Sequence, residues 1–255
     1  LTANCHSFDG LLREGLADFS RVLTINLRGR GLSDKPGSGY TMADHMHDLL
    51  GLLDALNLDQ VVLGGHSFGG LLSIYTAYHH PQRVQALLIV DAAARLHPRV
   101  RELVAPSMQR LGQQWADMKT FLGQMKQAPH LNGYWDEDVE AYFRADVREG
   151  PDGSVTTQSH PEHIQEAVDQ VLGLGVKWLE YIQGVRQPAI LINGTENFGS
   201  EVPLLPEELA RETVEMMQNA RYAHVPGNHL NMLFGKGAKA TVGEMRSFLK
   251  KSDLS

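Results

Sequence analysis

The sequence predicts an α/β chain: a mainly parallel, doubly wound sheet with a helical segment inserted in it. Three observations carry this. Short apolar runs rich in β-branched residues alternate with longer stretches of helical period. The runs at 61–65 and 84–90 are apolar at nearly every position, as in strands covered on both faces. The alternation stops near residue 95 and resumes near residue 188, and a gap of that length is too long for a loop.

The elements follow in order. Residues 21–27, Arg-Val-Leu-Thr-Ile-Asn-Leu, read as a first strand that runs into the turn-rich Arg28-Gly-Arg-Gly31 and Lys35-Pro-Gly-Ser-Gly39. Thr41 reads as an N-cap, because Met42, Met46, Leu49, Leu50, Leu53 and Leu56 follow at helical spacing. Residues 61–65 are a buried strand, 68–80 a helix stopped by Pro81, and 84–90 a second buried strand ending at Asp91. Amphipathic helices are expected over 100–115, 135–144 and 161–181. Then come a strand at 188–193, a helix at 206–219, a strand at 221–225, a loop holding His229 and a last helix at 236–250. The expected division is a core of residues 1–94 and 186–255 with a helical cap at 95–185.

Composition excludes some functions. In 255 residues the formal charge is −7, which argues against gripping nucleic acid through a general basic surface. No apolar run is long enough to span a membrane. The one cysteine, Cys5, has no partner for an intrachain disulfide or a cysteine metal site. His160 and His163 stand three apart, a metal-ligand spacing, but no third ligand is evident, so neither metal nor cofactor is expected. No signal peptide is visible, and the expectation is a cytoplasmic protein acting on a small molecule, of unspecified oligomeric state.

The strongest local signal is Gly65-His-Ser-Phe-Gly69, a Gly-x-Ser-x-Gly pattern between a strand and a helix. In such an elbow the serine sits on strained backbone that pushes its Oγ outward. Neighbouring glycines (Gly65, Gly69, Gly70) let strand and helix pass closely. The helix N-terminus aims free N–H groups at the reacting centre, which makes the Phe68 N–H a candidate oxyanion donor. The bland alternative is that Ser67 is an ordinary N-cap. A nucleotide-binding loop fits poorly, since no phosphate-binding lysine follows Gly70.

With these residues in view the sequence resembles the α/β-hydrolase fold family. The resemblance rests on Arg28-Gly-Arg-Gly-Leu-Ser33 with Lys35-Pro36, on the elbow, on His80-Pro-Gln-Arg-Val84 leading to Asp91, and on Pro226-Gly-Asn-His229. It departs at Asn26, where the family usually has Asp. It implies that Ser67 is a nucleophile with His229 as its base, in the family's order of serine, acid, histidine. Two acids remain open. Asp91 lies at the end of the sixth family strand, where some members carry the acid. Glu196 lies one residue from the commoner position after the seventh, which Asn197 occupies. The resemblance also implies strands ahead of Leu1 that this sequence does not contain, so it reads as a fragment. One such strand would pair between 21–27 and 61–65. The second oxyanion donor it implies is then Leu1, just past the family's His-Gly.

The implied activity is that of a carboxylesterase-like serine hydrolase, opening an ester or lactone of a small to medium, fairly apolar substrate through an acyl-enzyme. Carbon–carbon hydrolysis of ring-cleavage diketones and non-catalytic ligand binding are the alternatives. Met108, Leu111, Trp115, Met118, Phe121, Met125, Tyr134, Trp135 and Trp178 of the cap either pack it onto the core or line an apolar pocket over Ser67.

Overall fold

The computed structural model describes residues 1–131, 133–199 and 201–254. Its main sheet has four strands, all parallel: β1 (Val61–His66), β2 (Val84–Val90), β6 (Ala189–Gly194) and β7 (Ala220–Val225), side by side in that order. Strand residues alternate between two apolar clusters. Leu88, Val90, Ile190 and Ile192 join one with Val242, Met245 and Phe248 of α10 (Gly235–Lys251). Leu87, Ile89 and Leu191 join the other with Leu71, Leu72 and Ile74 of α3 (Phe68–His79) and Ile182 of α8 (Val176–Gly184). Both faces are covered, which is why β2 and β6 could be almost wholly apolar.

Local sequence accounts for the element ends. Thr41 caps α2 (Met42–Ala55): its hydroxyl accepts from the Asp44 N–H at 3.1 Å, and the Asp44 carboxylate accepts from the Thr41 N–H at 3.0 Å. Gly175, at φ +51, splits the predicted 161–181 helix into α7 (Pro161–Gly173) and α8. The last helical elements, α9 (Glu207–Met216) and α10, fall within a few residues of expectation.

Two expectations fail. Residues 21–27 form no strand. They border a cleft of about 750 Å3 whose far wall is His45, Asp48, Leu49 and Leu52 of α2, and no ladder joins them to β1. The inserted region is also not purely helical. Besides α4 (Val100–Gln109), α5 (Met118–Lys126), α6 (Glu137–Ala145), α7 and α8 it holds a small antiparallel sheet. That sheet is β3 (Gln114–Trp115), β5 (Val155–Thr157) and β4 (Val147–Glu149), with a turn at Gly150–Gly153 between the last two. Trp115 therefore sits in a strand, beyond the end of α4. Among the described residues no helix is long and apolar enough to cross a membrane.

Candidate active site

The carboxyl ends of parallel strands collect on one edge, and three of the predicted residues lie there: Ser67 after β1, Asp91 after β2 and His229 in the loop after β7. Ser67 has φ +53 and ψ −119, a conformation costly for a residue with a Cβ. Its backbone is fixed on both sides. The Ser67 N–H donates to Val90 O at 2.8 Å, and its carbonyl accepts from Gly70 and Leu71 at 2.9 and 3.1 Å. Its side chain makes no capping bond to α3, so the N-cap alternative fails and Oγ stays available.

The glycines of the elbow divide in their roles. A Cβ on Gly65 would meet Gly69 C at 2.1 Å, backbone against backbone, and one on Gly70 would meet the Ala92 Cβ at 2.7 Å. A Cβ on Gly69 would meet nothing within 4 Å. Gly69 is thus not needed for its own lack of bulk; its main chain is what Gly65 must clear.

Asp91 and His229 are directly joined. His229 Nδ1 donates to Asp91 Oδ2 at 2.6 Å. Asp91 Oδ1 accepts from Asn193 Nδ2 at 2.8 Å and from the Gly194 N–H at 2.9 Å, both at the end of β6. With both oxygens engaged, the carboxylate cannot turn away, and Nδ1 must carry the ring proton of a neutral His229. Nε2 is left as the basic nitrogen. Glu196 lies elsewhere: it accepts from the Gly227 N–H at 3.0 Å and from the Tyr134 hydroxyl, bracing the start of the histidine loop without touching the His229 ring.

The residue before the serine also reaches the histidine loop. His66 Nε2 donates to the His229 carbonyl at 2.6 Å, and the two rings lie 4.4 Å apart. Burial, and then the neighbouring His229, hold the His66 pKa well below its ordinary value, so it stays neutral. Nothing in the spacing of His66 gives away a contact 163 residues distant. Asn193 was equally silent, a polar residue ending an apolar strand.

Ser67, Phe68, Asp91, His229 and Leu1 share the wall of one cavity of about 130 Å3. No Ser67–His229 hydrogen bond forms among the described residues, which is common before substrate binds. Most of the remaining lining is apolar, from Leu71, Ala92, Ala93 and Leu205 of the core and Val100, Val104, Val168 and Val171 of the insertion, and Arg95, His97 and Arg101 add basic groups to it. None of the methionines and aromatics singled out in the insertion lines it. Trp115, Phe121, Met125 and Trp178 are buried in the two apolar clusters instead. Such a site can take a proton from a hydroxyl, hold an imidazolium against a carboxylate and exclude water from an apolar group.

Comparison with known proteins agrees with this fold. The family model described as the alpha/beta hydrolase fold matches residues 1–199. A 2-(acetamidomethylene)succinate hydrolase of Mesorhizobium japonicum is 34% identical over 91 residues, 36% of this chain and 32% of that protein, so the match spans about a third of its length. A 2-hydroxymuconate semialdehyde hydrolase of Pseudomonas putida is 26% identical over 216 residues, 81% of this chain and 69% of that one. The crystal structure of E-2-(acetamidomethylene)succinate hydrolase superposes with a TM-score of 0.81 at 19% identity, covering 98% of this chain and 88% of that chain; at that identity the likeness speaks to fold. The chain belongs to the alpha/beta hydrolase fold family, and its kinship is with hydrolases.

Proposed function

We propose that the chain is a serine hydrolase in which Ser67 is the nucleophile, His229 the general base and Asp91 the acid of the triad. The observation that carries this is the 2.6 Å bond from His229 Nδ1 to a doubly held Asp91, in the cavity where Ser67 sits on strained backbone. His229 Nε2 takes the Ser67 proton as Oγ attacks the carbonyl carbon. The Phe68 N–H, the first of α3 and without a partner inside the helix, faces the charge that develops on the carbonyl oxygen, and Leu1 supplies the opposite side. His229 returns the proton to the leaving group, and a water activated by the same nitrogen releases the acyl group.

The apolar lining favours a small to medium acyl group, and an ester or lactone is the leading substrate class. One observation favours a second reading. The relative aligned over 81% of this chain is named for 2-hydroxymuconate semialdehyde, whose hydrolysis breaks a carbon–carbon bond.

Labelling with a fluorophosphonate probe tests the nucleophile: the chain is expected to label at Ser67, and Ser67→Ala not to label. Failure of the unaltered chain to label would overturn the reading. Rates on a short-chain nitrophenyl ester beside a ring-cleavage dienoate then divide the two substrate classes.

A further inference from the structure

Arg30 is fully buried, and among the described residues no carboxylate is paired with it. This sets it apart from the other arginines. Arg110, also buried, faces Asp146 at 2.9 Å; Arg13, Arg28, Arg83, Arg95, Arg99, Arg144, Arg211, Arg221 and Arg246 each have a carboxylate within reach; Arg21, Arg101, Arg148 and Arg186 are exposed. The hydrogen-bond partners of Arg30 among the described residues are all neutral. Nη1 donates to Arg28 O at 2.7 Å and to His45 Nε2 at 2.9 Å, and Nε donates to Leu1 O at 3.1 Å. His45 Nδ1 donates to Thr41 O at 2.8 Å, so the Nε2 that meets Arg30 is a lone pair. Nη2 is buried without a partner, and the guanidinium lies 5.3 Å from the Phe68 ring centroid.

A buried cation with no counter-ion is costly, and folds keep such groups where the charge is used. The two residues Arg30 braces, Leu1 through its carbonyl and Phe68 through its ring, both line the cavity that holds Ser67. The N-terminus of α3 adds its positive end at the same wall. We propose that Arg30 is a positioning residue for the oxyanion hole: it fixes Leu1 and Phe68, and the counter-charge it lacks at rest is the negative oxygen formed when Ser67 adds to a carbonyl. This rests on Ser67 being the nucleophile. In that step the Oγ–C bond forms, the carbonyl π pair moves onto oxygen and the Oγ proton passes to His229. Arg30 keeps its protons and acts through its field, weakened little by solvent.

The test compares Arg30→Gln, which keeps a donor without charge, with Arg30→Lys, which keeps the charge. Each is assayed on the same fluorophosphonate-titrated concentration of active sites, so loss of folded protein does not enter. For Arg30→Gln, kcat on a short-chain nitrophenyl ester is expected to fall about ten- to a hundredfold. Inhibition by phenylboronic acid, whose serine adduct is anionic, should weaken by a similar factor, while KM changes less than about threefold. Arg30→Lys should restore most of both. If Arg30→Gln keeps kcat and boronate inhibition near the original values, or loses them in step with KM while Arg30→Lys is no better, the assignment is overturned. If the unaltered chain does not label with fluorophosphonate, the nucleophile itself falls and this inference with it, a result distinct from a labelled chain indifferent to Arg30.

Discussion

His66 donates a hydrogen bond from Nε2 to the main-chain carbonyl of His229 at 2.6 Å, so the residue before the elbow serine holds the backbone of the histidine. The end of β1 and the histidine loop, 163 residues apart in the chain, are thereby set at one spacing. Removing the donor with His66→Leu is expected to lower kcat about tenfold with little change in KM, on the scale of one buried hydrogen bond. His66→Asn, still a donor, should recover part of it. Steady-state kinetics on a nitrophenyl ester decide the matter; equal kcat for all three proteins would reduce His66 to packing.

The acid assignment makes an asymmetric prediction. Asp91→Asn leaves Nδ1 facing an amide and favours the wrong ring tautomer, so the rate of fluorophosphonate labelling should drop by about three to four orders of magnitude. Among the described residues the Glu196 side chain bonds to Tyr134 and the Gly227 N–H, and Glu196→Gln should change that rate less than about tenfold. Full activity in Asp91→Asn would refute the triad as drawn.

The elbow glycines predict a contrast in stability. Gly65→Ala would drive a methyl into main chain at 2.1 Å, where neither side is a flexible side chain, and should cost on the order of 3–5 kcal/mol. Gly69→Ala, with nothing within 4 Å and a place in the first turn of α3, should stay within about 1 kcal/mol of the parent. Urea unfolding of the two variants measures the difference.

Stability should also depend on pH through His45. Burial, and then the Arg30 charge, lower its pKa from 6.5 to about 4. Because the folded value is depressed, the unfolded chain binds the proton first as pH falls below 6.5. The contribution is whole above 6.5, shrinks as pH falls and is gone near 4, at a cost of roughly 3 kcal/mol. His45→Gln should flatten part of this slope in melting temperatures taken from pH 7 to pH 4, and an unchanged slope would count against it.

Much of this was readable from residues alone, because the signals were local. An N-cap threonine, two wholly apolar strands and a Gly-x-Ser-x-Gly turn each state their structure within a few positions. Ser67 and Phe68 were proposed from that turn, and His229 from its loop after the last strand together with chain order. The choice between Asp91 and Glu196 did not yield to spacing. The proposal of Asp91 rests on the bonds that Asn193 and Gly194 make to its carboxylate, and those partners come from a different strand, 102 and 103 residues along the chain. Residues 21–27 carry strand composition but no ladder, since composition cannot supply a neighbouring backbone. Arg30 looked like one more turn residue, because burial of a charge leaves no mark on the sequence around it.

The apolar cluster on one face of the sheet runs without a break from Leu88 and Ile190 of the core into Phe121, Val139 and Phe143 of the insertion. The two regions therefore share their largest source of cohesion. Heating is expected to melt them together, as one calorimetric peak whose van't Hoff and measured enthalpies agree. An insertion that came apart first, with the sheet still intact, would show as a separate low-temperature shoulder.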